Sequence, residues 1–142
     1  MTSIEPELVD RMIASAREIR AKAYAPYSGF HVGAALLARD VIFTAVNVEN
    51  ASYPMSVCAE RNAVAIAVAA GAASSARAVA VVTDAETPIP PCGGCRQVLY
   101  EFGGAGMAVI AESADGSIRT VWSLDELLPD AFGPDDLDRL QR

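Results

Sequence analysis

The sequence is poor in positive charge, nearly devoid of histidine and too sparing with cysteine for a disulfide scaffold. Its 142 residues carry 11 Lys and Arg against 18 Asp and Glu, a formal net charge of −7. That balance excludes a surface built to grip a nucleic-acid polymer, which needs clustered cations. It leaves open a nucleobase or nucleoside bound as a small molecule. The three cysteines, Cys58, Cys92 and Cys95, are an odd set. They point to metal binding or catalysis rather than to disulfides. The opening stretch, MTSIEPELVDRMIASAREI, is charged and amphipathic, unlike a signal peptide. Reduced thiols and a cytoplasmic setting are therefore expected. No long apolar run is present either. The uncharged stretch from Asn62 to Ala76 is too short to span a bilayer, and Gly71, Ser74 and Ser75 interrupt it.

What the chain has is apolar residues, 52% of the total, enough for a core. A single domain over residues 1–142 is expected. Leu8, Met12, Ile13, Ala16 and Ile19 recur at helical spacing, predicting a helix over about residues 5–24. Residues 30–38 and 41–48 read as two strands joined by Arg39-Asp40, hence an antiparallel hairpin. A helix follows from Cys58 to about Ala70, closed by Gly71. Residues 77–84 form an almost wholly apolar strand, as at the centre of a covered sheet. After a proline-rich loop comes a helix from Cys92 to about Phe102. Two last strands, 107–112 and 118–124, are joined by SADGS, too short for a parallel crossover, so they are antiparallel. A short helix, a turn at Gly133-Pro134 and a polar tail end the chain. The order αββαβαββ packs as a five-stranded α/β sheet with helices on its faces. Both cysteine-bearing helices start after strands, near one end of the sheet, where ligands commonly sit.

The chemistry concentrates in two short stretches, VCAERNAV (57–64) and PPCGGCRQV (90–98). Cys92 and Cys95 project to one side of a first helical turn. The positive end of a helix dipole favours thiolate over thiol, at Cys58 as well. Three thiolates with an open fourth position are a catalytic rather than a structural zinc arrangement. CxxC alone also marks redox dithiols, but a redox pair would leave Cys58-x-Glu60 unexplained. Glu60, two residues from Cys58, can face the site only if Cys58 sits at the very start of its helix. There it would act as general base and acid toward a metal-bound water. Arg61 and Arg96 each follow closely on a zinc cysteine and would offset excess thiolate charge. His31 reads as an ordinary strand histidine. It is a remote candidate for a fourth ligand.

C-A-E followed by P-C-x-x-C resembles the zinc-dependent deaminases. The blocks YAPYSGFHVGAALL, NVENASYPMSVCAERNAV, PCGGCRQVLYEF and ELLPDAFGPDDL are similar, in order, to cytidine deaminases of the short, homotetrameric type. The resemblance implies a three-layer α/β/α fold with a mixed five-stranded sheet, and one Zn²⁺ per chain on Cys58, Cys92 and Cys95. It implies Glu60 as proton carrier, Asn47 and Glu49 on the ribose 3′-hydroxyl, and Phe30 against the base. The Ala59 backbone would address the base's polar edge. Ala51, Tyr53 and Phe132 would reach a neighbouring subunit's site, so that the homotetramer shares active sites. The first ligand is cysteine, not the histidine of other branches, and the short SADGS link separates the chain from branches that edit tRNA or DNA. The implied reaction is hydrolytic deamination of cytidine and 2′-deoxycytidine, in pyrimidine salvage. The alternatives are a deaminase of a cytosine-nucleoside antibiotic such as blasticidin S, or a non-catalytic zinc module.

Overall fold

The computed structural model describes residues 1–141; Arg142, the end of the expected domain and tail, lies outside the described residues. Five strands form one sheet in the order β2-β1-β3-β4-β5. They are β1 (Val32–Ala38), β2 (Val41–Val46), β3 (Ala76–Thr83), β4 (Ala108–Glu112) and β5 (Arg119–Ser123). The helices are α1 (Pro6–Arg20), α2 (Ala59–Ala69), α3 (Gly93–Gly103), α4 (Leu124–Leu127) and α5 (Pro134–Leu140). No helix among the described residues is long and apolar enough to cross a membrane.

The hairpin β1–β2 turns on Arg39 and Asp40, both with positive φ (49° and 60°). Two left-handed residues match the right-handed twist of the flanking strands, which is why so short a link suffices. β1 lies antiparallel to both β2 and β3, β3 is parallel to β4, and β4 is antiparallel to β5. The expected antiparallel closing pair is thus present. The sheet is mixed, as expected.

Alternation along the strands sends side chains to two cores. On one face Ala35, Leu37, Ala78, Ala80, Val82, Ala108 and Ile110 meet Met12, Ile13 and Ala16 of α1. On the other, Leu36, Val79, Val81 and Val109 meet Ala63, Val64 and Ala67 of α2 and Leu99 of α3. This is the three-layer arrangement. α1 packs very close: a Cβ on Gly33 would sit 1.9 Å from the carbonyl oxygen of Ala16. Only glycine permits that approach.

Several boundaries differ from expectation. α1 stops at Arg20, before the expected end at Tyr24. Phe30 and His31 precede β1 rather than belonging to it, because their backbone bonds to side chains instead of to a neighbouring strand. Residues 53–55 form a 3-10 turn inside the expected loop, with Pro54 early in it. The expected polar tail is the helix α5. Pro134 suits its first turn, Asp135 and Asp136 complement its dipole, and Asp136 accepts the Gly133 N–H.

Candidate metal centre and active-site pocket

Strand direction brings the two cysteine stretches together. β2 and β3 both run antiparallel to β1, so their C-terminal ends lie at the same end of the sheet. The chain leaving β2 reaches α2, and the chain leaving β3 reaches α3. Cys58 and Cys92 are the N-cap residues of these helices, both in extended backbone (φ −70°, ψ 153°; φ −63°, ψ 164°). Neither thiol is used as a cap. Cys95 sits in the first turn of α3 and is fully buried.

The sulfur atoms of Cys58, Cys92 and Cys95 all lie within 4.8 Å of one another, with Cys58 and Cys92 3.9 Å apart. Tetrahedral zinc with Zn–S bonds near 2.3 Å spaces its sulfur ligands by about 3.8 Å. The donor set and its spacing fit zinc. It is the only such cluster of ligating groups among the described residues. His31 lies apart from it, with its Nδ1 2.8 Å from Asp84.

Their surroundings push the Cys58 and Cys95 thiols in opposite directions. Hydrogen bonds from Cys95 and Cys92, with the positive charge of Arg61, hold the Cys58 thiol well below the usual range against the opposing effect of burial. The bond to Cys58 and burial push Cys95 up.

Glu60 is the second residue of α2 and is buried. Burial, opposed by its own backbone N–H and reinforced by the charge on Cys58, pushes its carboxyl up to about 7. It stands outside the sulfur cluster and lines the same cavity of about 460 Å³ as Cys58 and Cys92. That volume is within the range of small-ligand sites. Phe30, Asn47 and Arg96 also face this cavity.

Asn47 accepts the Val32 N–H at 2.8 Å and donates to the Phe30 carbonyl at 2.8 Å. Glu49 accepts from the Tyr27 and Ser28 N–H groups at 3.0 and 3.1 Å and from the Ser28 hydroxyl at 2.5 Å. Those bonds hold its carboxyl below the usual range. Glu49 and Tyr53 line a different cavity, with Tyr27, Ser28 and Ser56. Ala51 and Phe132 are exposed and line neither of these cavities. Ala59 is buried at the first position of α2. Arg61 is exposed, whereas Arg96 donates to the carbonyls of Pro91 and Leu127 at 2.7 and 2.8 Å. Arg96 thus ties the loop before Cys92 to the end of α4.

Sequence reasoning missed Val32, Val81, Thr83 and Ile89 as lining residues. Val81 and Thr83 end the central strand, and the end of such a strand was the available signal. Val32 and Ile89 carried none, since an apolar residue facing a ligand looks like one facing the core.

Residues 6–111 match the family described as the cytidine and deoxycytidylate deaminase zinc-binding region. The chain is similar to a cytidine deaminase of Sporosarcina psychrophila, at 46% identity over 91% of this chain and 94% of that protein. It is similar to one of Mycobacterium tuberculosis, at 43% over 90% and 92%. Its fold is similar to the crystal structure of the Burkholderia pseudomallei cytidine deaminase, with a TM-score of 0.82, 46% identity, and 87% and 98% of the two chains covered. Where two stretches of sequence, one sulfur cluster and a buried glutamate had pointed, these likenesses agree: the chain belongs to the zinc-binding cytidine and deoxycytidylate deaminase family.

Proposed function

We propose that the protein hydrolytically deaminates cytidine and 2′-deoxycytidine to uridine and 2′-deoxyuridine, with release of ammonia. The observation that carries this reading is the buried carboxyl of Glu60, in one cavity with two of the three clustered thiols. Bound by Cys58, Cys92 and Cys95, zinc supplies a Lewis acid that makes a water acidic enough to lose a proton near neutral pH.

The remaining work belongs to side chains. Glu60 takes the proton of the attacking water and passes it to N3 of the cytosine, making C4 electrophilic. It then takes the remaining proton from the hydroxyl newly bonded to C4 and delivers it to the amine, which leaves as ammonia as the C4 carbonyl forms. One carboxyl acts as base and acid in turn, which suits its place between metal site and base. The Ala59 N–H and the Glu60 side chain address the polar edge of the base, and Phe30 packs against its ring. Asn47 keeps a second amide hydrogen free after bonding Phe30, and Glu49 keeps a free lone pair, so both retain capacity for the ribose 3′-hydroxyl. Arg61 lowers the charge burden of the thiolates, in keeping with its effect on Cys58. Arg96 assists by holding the Cys92 loop.

Ala51, Tyr53 and Phe132 are assigned to a neighbouring subunit's site in a homotetramer. Their exposure supports this: Tyr53 and Phe132 are 70% and 55% exposed, high for aromatic residues with no further role. One deaminase domain over residues 1–142, working in the cytoplasm in pyrimidine salvage, completes the reading. Three free cysteines and the acidic surface accord with it.

The test is the fall in cytidine absorbance on incubation with the zinc-loaded protein, run beside blasticidin S. Rapid loss with cytidine and 2′-deoxycytidine is expected. Inert cytidine beside reactive blasticidin S would overturn the substrate assignment. A fully active monomer in sedimentation would overturn the shared sites.

A further inference from the structure

We infer that Asp84 is a positioning residue for the nucleoside pocket, acting through His31 on the wall formed by Phe30 and Val32; this rests on the deaminase reading above. Asp84 stands one residue past the end of β3, and neither it nor His31 lines the cavity. Their neighbours do: Phe30 and Val32 on one segment, Thr83 on the other.

The segment from Phe30 to Val32 joins the sheet only at Val32, the first residue of β1. Its polar backbone groups are fastened one by one. The Phe30 N–H donates to the Ser28 hydroxyl at 3.0 Å, and the Phe30 carbonyl and Val32 N–H are held by Asn47. The His31 N–H between them points the opposite way and donates to Oδ2 of Asp84 at 2.7 Å. The His31 ring reaches the same oxygen, with Nδ1 at 2.8 Å. One carboxylate therefore fixes both the backbone and the side chain of His31. Because the chain passes from Phe30 to Val32 through His31, that grip sets the depth at which both wall residues enter the pocket.

The carboxylate is itself braced. Arg20, the last residue of α1, donates to the Thr83 carbonyl and stands 3.8 Å from Oδ1 of Asp84. Burial alone would raise the Asp84 carboxyl, but the His31 bonds outweigh it and the group is held below its usual range. It is a charged acceptor, and charge-assisted hydrogen bonds are the stronger kind. Helix α1 has no side chain in the pocket, yet through Arg20 it anchors the edge on which the wall depends.

A wall out of place weakens binding of substrate and transition state alike, which raises KM and leaves kcat nearly unchanged. The experiment is steady-state kinetics on cytidine with Asp84→Ala, Asp84→Asn and His31→Ala. For Asp84→Ala, KM should rise about tenfold with kcat within about twofold. Asp84→Asn keeps an acceptor oxygen for the His31 N–H and should restore most of the affinity. His31→Ala keeps the backbone bond and should raise KM only about threefold. An unchanged KM in Asp84→Ala, or a rise that asparagine does not reverse, overturns the role. If Asp84→Ala fails to fold, His31→Ala decides: an unchanged KM overturns the role, and a rise supports it. Wild-type protein inert toward cytidine sinks the deaminase reading instead, so the two failures are separable.

Discussion

The two faces of the sheet are covered by helices that do different work. On one face α1 lies alone over small residues, Ala35, Ala78, Ala80 and Ala108, and presses onto Gly33. It contributes packing and a rim of ion pairs, among them Arg17 with the buried Glu112 at 2.6 Å. On the other face α2 and α3 also pack, but both begin on a cysteine and aim their first turns at one cavity. Core residues fill the later turns of those helices, while chemistry occupies the starts. The lesson is a division of labour: substitutions at the helix starts should remove activity and spare the fold, and substitutions under α1 should do the reverse.

The strongest break comes at the metal. Cys95→Ser should lower bound zinc from about one per chain to near none, measured by metal analysis, and abolish turnover, since a structural change of one ligand removes the soft donor set that suits zinc. Chelation of the wild type should do the same and be reversed by added zinc. Retained metal and activity in Cys95→Ser would dissolve the contrast between the faces. Next in size is the packing under α1. Met12→Ala, at a fully buried site, should cost about 2–5 kcal/mol in denaturant unfolding while zinc binding per folded chain is kept. The effect is expected to be smallest at the rim. Arg77 pairs at 2.7 Å with Asp40, which is 86% exposed, so Arg77→Ala should change stability by no more than about 0.5 kcal/mol. A large loss there would mean that the hairpin end matters more than its packing indicates.

The same division governs what the sequence made legible. Cys58, Glu60, Cys92 and Cys95 stood out because their residue types make no sense in an ordinary helix start. The strand count and the antiparallel end of the sheet followed from link lengths, Arg39-Asp40 and SADGS, which physically admit few geometries. The α1 contact at Gly33 did not, because a glycine in an apolar strand gives no sign of which backbone approaches it. Phe30 and His31 looked like strand for a related reason: backbone groups fastened by distant side chains leave the apolar pattern of the segment unchanged. Asp84 passed for a strand end, since a side chain that holds another segment through a backbone N–H has no motif. Its partner, His31, lies 53 positions away. Local spacing reveals chemistry drawn from one turn of helix, and hides support assembled across the sheet.

In the proposed reaction Glu60 moves the proton and does not hold the metal. Zinc content and cytidine turnover of Glu60→Gln, measured on the same sample, test it most directly. Zinc should be retained at about one per chain and turnover lowered roughly 10²–10⁴-fold, the usual contribution of a positioned acid and base. Near-wild-type turnover in a zinc-loaded Glu60→Gln protein would contradict it.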